Sequence, residues 1–342
     1  MSVARNTKNL SLGLLVLQNT SLVLLMRHSL TVRGPRYMPS TAVALMEMVK
    51  LVVCLVVVYM ESGEKRTFLR KLDVEVVQKR RELGKLAVPA LLYTLQNNML
   101  YTALANLDAA TYSVCYQTKI ITTGVFSVFL LGKKLTCSKW GALVLLTVGV
   151  ALAELSNLST KPKKDESLSD HVQSPVLGFT FVMAAACTSG FAGVYFEMIL
   201  KGSTTSLWIR NIQMGVPSII LSLLSVLAKD WSDVREKGFF YGYNAVVVGV
   251  VLLQAIGGLV VAVVVKYADN IRKSFATAVS IVVSCILSMA LFNFQPNWAF
   301  VLGVICVCGS VFWYSRAPSV QGLPVYSQGS ALDRQRDVAR RV

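Results

Sequence analysis

The chain has 342 residues, of which 54% are hydrophobic and only 15% charged, whereas ordinary soluble domains carry about 25% charged residues. Thirty-four Lys/Arg against 18 Asp/Glu give a net charge of +16. This composition excludes a disordered chain, which needs low hydrophobicity, and it argues against a soluble enzyme. The cations lie between long apolar runs rather than along one face, which argues against nucleic-acid binding and places them in the loops of a membrane protein.

A membrane-spanning helix needs about 20 mostly apolar residues. Taken in chain order, the candidates are 9–28, 40–60, 86–106, 110–131, 139–155, 175–197, 207–228, 244–265, 273–292 and 297–315. The first does not read as a cleavable signal peptide, because Gln18 and Asn19 interrupt it and no small-residue cleavage site follows. After the second, the loop 61–85 mixes Leu69, Leu72, Val76, Val77 and Leu83 with many charges, which predicts an amphipathic helix at the membrane surface. Gln96, Asn97 and Asn98 break the apolarity of 86–106, and 139–155 is short. The polar stretch 156–174 reads as a flexible loop and divides the spans five and five. The tail from Pro318 onward is too polar to fold alone.

With ten spans and both termini cytosolic, the cytosolic segments hold 23 Lys/Arg and the opposite side holds 9, as the positive-inside rule requires. The seven cysteines do not form a disulfide pattern, since all but Cys137 fall within apolar runs.

Spans four and nine echo each other. One reads Lys119-Ile-Ile-Thr-Thr-Gly-Val and the other Lys273-Ser-Phe-Ala-Thr-Ala-Val. Five helices per half is an odd number, so duplicated halves must be inverted, a plan common among transporters with a site at mid-membrane. The expected fold is therefore an all-α membrane protein with ten transmembrane helices in two inverted five-helix halves. These are residues 1–155 and 175–317, joined by the lumenal loop 156–174 and followed by a disordered cytosolic tail, 318–342.

Lys119 is the sharpest signal. A charge at the centre of a membrane helix costs about 2.5–3.5 kcal/mol on insertion scales. It either snorkels or pairs structurally, or it faces a polar cavity that accepts an anion; intramembrane ionisable residues favour the second. Lys273 opens span nine, and the echo with Lys119 assigns it to the same cavity rather than to a loop. Glu47 and Lys50, at i and i+3, share a helical face and form either a self-satisfied pair or part of the cavity wall. Gln96, Asn97 and Asn98, with Tyr93 a turn before, either bond neighbouring helices or read a base and sugar. Tyr112, Tyr116 and Gln117 precede Lys119 by one or two turns. Ser189-Gly190-Phe-Ala-Gly193 is a small-residue stretch that serves helix packing or close approach of a ligand. Asn211, with Arg210 and Gln213, opens span seven, and Gly257-Gly258 reads as packing or a hinge. No His/Cys pattern of a metal site, no phosphate-binding glycine loop and no nucleophile motif is present, so no metal, cofactor or catalytic residue is expected.

At these residues the chain resembles the nucleotide-sugar transporters of the drug/metabolite transporter superfamily, in the branch carrying UDP-galactose, UDP-N-acetylglucosamine and CMP-sialic acid. The resemblance covers about residues 10–315. It rests on Gly34-Pro-Arg-Tyr37, Ser40-Thr-Ala-Val43, Tyr93-Thr-Leu-Gln-Asn-Asn98, Asn106-Leu-Asp-Ala-Ala110, Tyr116-Gln-Thr-Lys119, Ser189-Gly-Phe-Ala-Gly-Val-Tyr-Phe-Glu197, Trp208-Ile-Arg-Asn-Ile-Gln213, Lys237-Gly-Phe-Phe-Tyr-Gly-Tyr243 and Val265-Lys-Tyr-Ala-Asp-Asn-Ile271.

The resemblance implies a Golgi membrane carrier that exchanges cytosolic nucleotide sugar for lumenal nucleoside monophosphate, and not an enzyme. It implies that Lys119 and Lys273 contact phosphate, and that Tyr93, Asn97, Tyr112, Ser189, Gly190 and Asn211 line the nucleotide site. In the cavity-wall reading of the i, i+3 pair, Glu47 and Lys50 read the hydroxyls of the sugar. Two positions depart from patterns in the branch: Ser274 stands where glycine is frequent, and Gly215 matches the UDP-sugar members rather than the CMP-sialic acid ones. The Gly34–Tyr37 stretch resembles the N-acetylglucosamine subgroup, and Gly257–Lys266 resembles the galactose one equally. The expected activity is import of a UDP-sugar, UDP-N-acetylglucosamine and/or UDP-galactose, against UMP, with CMP-sialic acid/CMP exchange as the alternative. The expected partners are the nucleotide sugar, the monophosphate and the lipid bilayer, and the sequence leaves room for a homo-oligomer. A membrane glycosyltransferase is the rival class, but Asp108 and Asp269 are isolated rather than clustered.

Overall fold

The computed structural model describes residues 2–31, 37–107, 109–159, 174–203, 205–292 and 297–318. The expected flexible loop and cytosolic tail fall almost entirely outside these residues. Among those described there are thirteen α-helices, one π-helical turn and no strand.

The helices are α1 (Ser2–Thr31), α2 (Pro39–Ser62), α3 (Lys65–Leu72), α4 (Arg80–Asn106), α5 (Ala109–Tyr116), α6 (Lys119–Leu131), α7 (Cys137–Ser159), α8 (Pro175–Lys201), α9 (Leu207–Lys229), α10 (Trp231–Lys237), α11 (Ala245–Tyr267), α12 (Asn270–Phe292) and α13 (Trp298–Arg316). The π-turn is Asp73–Val77 and continues α3. Their ends follow local chemistry. Pro39 and Pro175 stand in the first turns of α2 and α8, where a missing N–H costs nothing. Ser206, Asn244 and Asn297 cap α9, α11 and α13 by accepting from Ile209, Val247 and Phe300 N–H.

Among the described residues, nine segments are long and apolar enough to cross a membrane, including Thr111–Leu131, which contains the junction of α5 and α6. The protein is thus an all-α, multi-pass membrane protein. The stretch expected as span 86–106 lies in α4, a continuous helix of 27 residues. It is not among the nine, and Gln96, Asn97 and Asn98 account for its lower apolarity. The short span expected over 139–155 is the 23-residue α7. All seven cysteines are free thiols.

The helices pack into two compact units, Met1–Thr94 with Ser203–Phe294, and Leu95–Gly202 with Gln295–Val342. Each unit draws on chain from before and after the 156–174 segment. In the first, α1 packs on α11 and α12, and α2 packs on α9. Leu15, Val260, Val264 and Ala276 form one core there, and Cys54, Val58, Ile209 and Ile212 another. In the second unit α7 packs along α13, and α6 along α8. Gly149 and Gly303 let α7 and α13 touch backbone to backbone, since a Cβ at Gly303 would lie 2.8 Å from the Gly149 carbonyl oxygen.

Candidate substrate site

In the second unit the apolar stretch around Lys119 is not one helix. Gln117 N–H bonds Val114 O at 3.2 Å, Thr118 N–H bonds Cys115 O at 3.1 Å and Ile120 N–H bonds Gln117 O at 3.0 Å, all i→i−3. Four-residue spacing resumes when Thr122 N–H reaches Thr118 O at 3.0 Å. The chain thus tightens to a 3₁₀ turn within the span and restarts as α6 at Lys119. Such a restart places the positive end of a helix dipole inside the membrane, at the same residue as an ammonium group. Both favour an anion.

The aromatic residues before the break hold this lysine. Its Nζ lies over the Tyr116 ring, 4.0 Å from the centroid. Tyr112 stacks on Tyr116 with centroids 6.1 Å apart. The Tyr116 hydroxyl accepts from Gln96 Nε2 at 2.8 Å and is hydrogen-bonded to Ser189. Gln96 Oε1 is buried with no hydrogen-bond partner among the described residues. Gly190, next to Ser189, sits where α8 crosses α6. A Cβ there would lie 2.5 Å from Thr122 Oγ1 and 2.9 Å from the Thr122 carbonyl carbon. Thr122 Oγ1 fixes the crossing by donating to Ala186 O at 2.9 Å. Gly190 therefore serves close packing, one turn from Lys119.

In the first unit, Lys50 Nζ donates to both Glu47 carboxylate oxygens at 2.8 Å, with 9% and 10% of the two side chains exposed. Two consecutive glycines of α11 receive side chains from α1 and α2. The Gln18 amide lies against Gly257, and the Lys50 stem against Gly258, where a Cβ would meet Lys50 Cδ at 3.0 Å. Asn211 is buried on α9, donates to Leu207 O at 2.9 Å and keeps a carbonyl oxygen with no partner among the described residues. Lys273 is half-buried in the first turn of α12. Its neighbour Arg272 pairs instead with the helix-capping Asp269, at 3.7 Å, and Ser274 Oγ turns back to Asn270 O at 3.2 Å.

The structure thus gathers Lys119, Tyr112, Ser189 and Gly190 in one unit, and pairs Glu47 with Lys50 in the other. Tyr93 is half-buried in the first unit, and Asn97 is exposed in the second, one turn further along α4.

Two polar centres were not expected from the sequence. Glu197, fully buried, is bridged by Lys133 at 2.8 Å and Lys201 at 2.7 Å. Its i+4 spacing to Lys201 was a legible signal, but the contact to Lys133 was not. Arg210 is 3% exposed, pairs with Glu82 at 2.8 Å, and donates to Gln213 Oε1 at 2.9 Å and Ser203 Oγ at 3.0 Å. The hydrogen bond from Lys85 above all, helped by Arg210, holds the Glu82 carboxyl below its usual range, against the opposing effect of burial.

Membrane-crossing helices around charged and amide side chains define a polytopic protein with polar sites inside its helical units, the organisation of a solute carrier. A sequence profile of the nucleotide-sugar transporters matches residues 3–315, and the chain belongs to that family, whose members are transporters rather than enzymes. It is 49% identical over 327 residues to the UDP-N-acetylglucosamine transporter of Rattus norvegicus, covering 94% of this chain and 99% of that one. It is 46% identical over 320 residues to a UDP-N-acetylglucosamine/UDP-N-acetylgalactosamine transporter of Caenorhabditis elegans, covering 92% and 94%. It is 44% identical over 312 residues to the UDP-galactose translocator of Bos taurus, covering 91% and 78%. A solved crystal structure shares the fold with a TM-score of 0.65 at 14% identity, covering 91% of this chain and 98% of that one.

Proposed function

We propose that the protein is a Golgi antiporter that carries a UDP-sugar, UDP-N-acetylglucosamine and/or UDP-galactose, into the lumen and returns UMP. The observation that carries this reading is Lys119 at the start of a helix within the membrane, in a chain whose relatives transport UDP-sugars. A UDP-sugar bears about two negative charges, and a monophosphate nearly two at neutral pH. In this reading Lys119 and Lys273 supply two positive charges to either ligand, so both legs of an exchange carry the same charge and no ion gradient is required.

The remaining site residues have matching chemistry. Asn211 offers a buried amide oxygen to a base N–H. Gly215, one turn further on the same face of α9, has only Leu51 near it among the described residues, at 3.7 Å. Packing does not demand glycine there, which supports a role in admitting uracil. Tyr93, Asn97, Tyr112 and Ser189 line the nucleotide site, and Glu47 and Lys50 face the sugar.

The full topology is ten spans in two inverted halves with both termini cytosolic. α4 is the tenth span: its 27 residues at about 1.5 Å each reach about 40 Å, beyond the ~30 Å hydrocarbon core, and Gln96, the buried one of its three consecutive amides, is bonded to Tyr116. The test is uptake of a panel of nucleotide sugars into proteoliposomes preloaded with UMP or CMP. UMP-driven uptake of UDP-sugars supports the reading, and CMP-driven uptake of CMP-sialic acid replaces it.

A further inference from the structure

We propose that residues 65–81 form a docking surface for anionic phospholipid, and that α9 senses its occupancy. The segment holds seven Lys/Arg and two Asp/Glu. Lys71 is engaged by Glu61 at 3.6 Å and Lys79 by Glu75 at 2.8 Å. Among the described residues, Lys65, Arg66, Arg70, Arg80 and Arg81 make no ion pair, and all five are exposed.

The apolar side chains of the same segment divide by direction. Phe68, Leu72 and Val76, spaced by four, pack on the cluster of Cys54, Val58, Ile209 and Ile212. Leu69 and Val77 remain 53% and 55% exposed. α3 starts three residues after α2 ends, so this element lies at the level where a spanning helix leaves the membrane. Exposed leucine and valine beside unpaired cations match the boundary between acyl chains and phosphate headgroups, where each cation near an anionic surface strengthens attachment about fivefold. A soluble acidic partner would account for the cations but not for the apolar pair.

The far end of the segment is tied to α9. Gln213 Nε2 donates to Glu75 O at 2.6 Å, satisfying a carbonyl that the π-turn leaves at a helix end, and Arg210 pairs with Glu82. Arg210 and Gln213 flank Asn211, so lipid bound at 65–81 steadies the helix that carries it. The docking itself does not depend on which solute is transported.

The test is amide hydrogen exchange of the full chain in nanodiscs of phosphatidylcholine alone, or with about one-fifth phosphatidylserine. Exchange across 65–77 slows on the order of tenfold with phosphatidylserine, the first turns of α9 slow with it, and about 0.5 M salt reverses both. The variant R66Q/R70Q/R80Q/R81Q loses the lipid effect while keeping the wild-type melting temperature in phosphatidylcholine. Equal exchange in the two discs, or an undiminished lipid effect at high salt or in the variant, overturns the proposal. If the variant melts early, the salt series on wild type decides alone.

Discussion

The Lys119 ammonium and the Tyr116 ring face each other at 4.0 Å across the two-residue break between α5 and α6. The tyrosine is itself fixed from two other helices, by Gln96 of α4 and Ser189 of α8. The ring thus sets where the charge stands. Tyr116→Phe keeps the ring but loses the hydroxyl contacts, whereas Tyr116→Leu removes the cation–π contact, worth about 1–2 kcal/mol when desolvated. We expect UMP affinity, read by isothermal calorimetry, to fall about five- to thirtyfold for Leu and distinctly less for Phe. Equal losses would assign the effect to the hydroxyl network.

Gly190→Ala should impair transport more than folding. The added methyl meets Thr122 and Thr123 backbone atoms at 2.9 Å, which cannot rotate aside, so α6 must move. Overpacking of this kind costs about 1–3 kcal/mol, and the moved turn is the one that begins with Lys119. Melting temperature and exchange rate, measured on the same preparation, separate the two effects. A wild-type exchange rate would show that the crossing has slack.

The Glu47–Lys50 pair separates a structural from a substrate role through a double substitution. Glu47→Gln leaves a buried ammonium without its carboxylate, a loss of about 3–5 kcal/mol. Glu47→Gln with Lys50→Gln removes both charges, and should regain much of that stability. If the pair also faces substrate, the double variant melts normally but transports poorly. Recovery of transport together with stability would make the pair purely structural.

The Arg210–Glu82 link gives a pH signature. The folded Glu82 carboxyl titrates below its ordinary value of 4.5. Its contribution is therefore complete above about that pH and disappears as pH falls through the folded value. Glu82→Gln should cost about 1–2 kcal/mol at pH 7, allowing for solvent screening of a partly exposed carboxylate. The gap between wild type and variant should stay constant from pH 7 to pH 5.5 and close in more acidic buffer. A gap that changes between pH 7 and pH 5.5 would assign the pH dependence to another group.

What could be read from the chain alone follows from what the bilayer demands. Apolar runs long enough to cross it locate α1, α2 and α7–α13 apart from the short α10, because hydrocarbon admits little else. Glu47 and Lys50 were legible as a pair because i, i+3 spacing fixes their face. The break at Gln117–Thr118 was not: no glycine or proline marks it, and the contacts beside it, Gln96 to Tyr116 and Thr122 to Ala186, come from other helices. The grouping of helices into units was equally hidden, since it depends on contacts such as α2 with α9 across more than a hundred residues. α4 lies between these cases. Its length was legible, but Gln96–Asn98 lower its apolarity below that of the nine segments apolar enough to cross the membrane.

The proposed exchange requires Lys119 and Lys273 to hold the phosphates of the carried nucleotide. The most direct measurement is UMP-induced thermal stabilisation of purified wild type, Lys119→Ala and Lys273→Ala, with uridine as control. A charge-assisted phosphate contact is worth about 1.5–3 kcal/mol, so each variant should require roughly ten- to a hundredfold more UMP for the same shift, while uridine shifts none of them. If both variants fold and are stabilised by UMP as the wild type is, these lysines do not bind phosphate and the proposed mechanism is wrong.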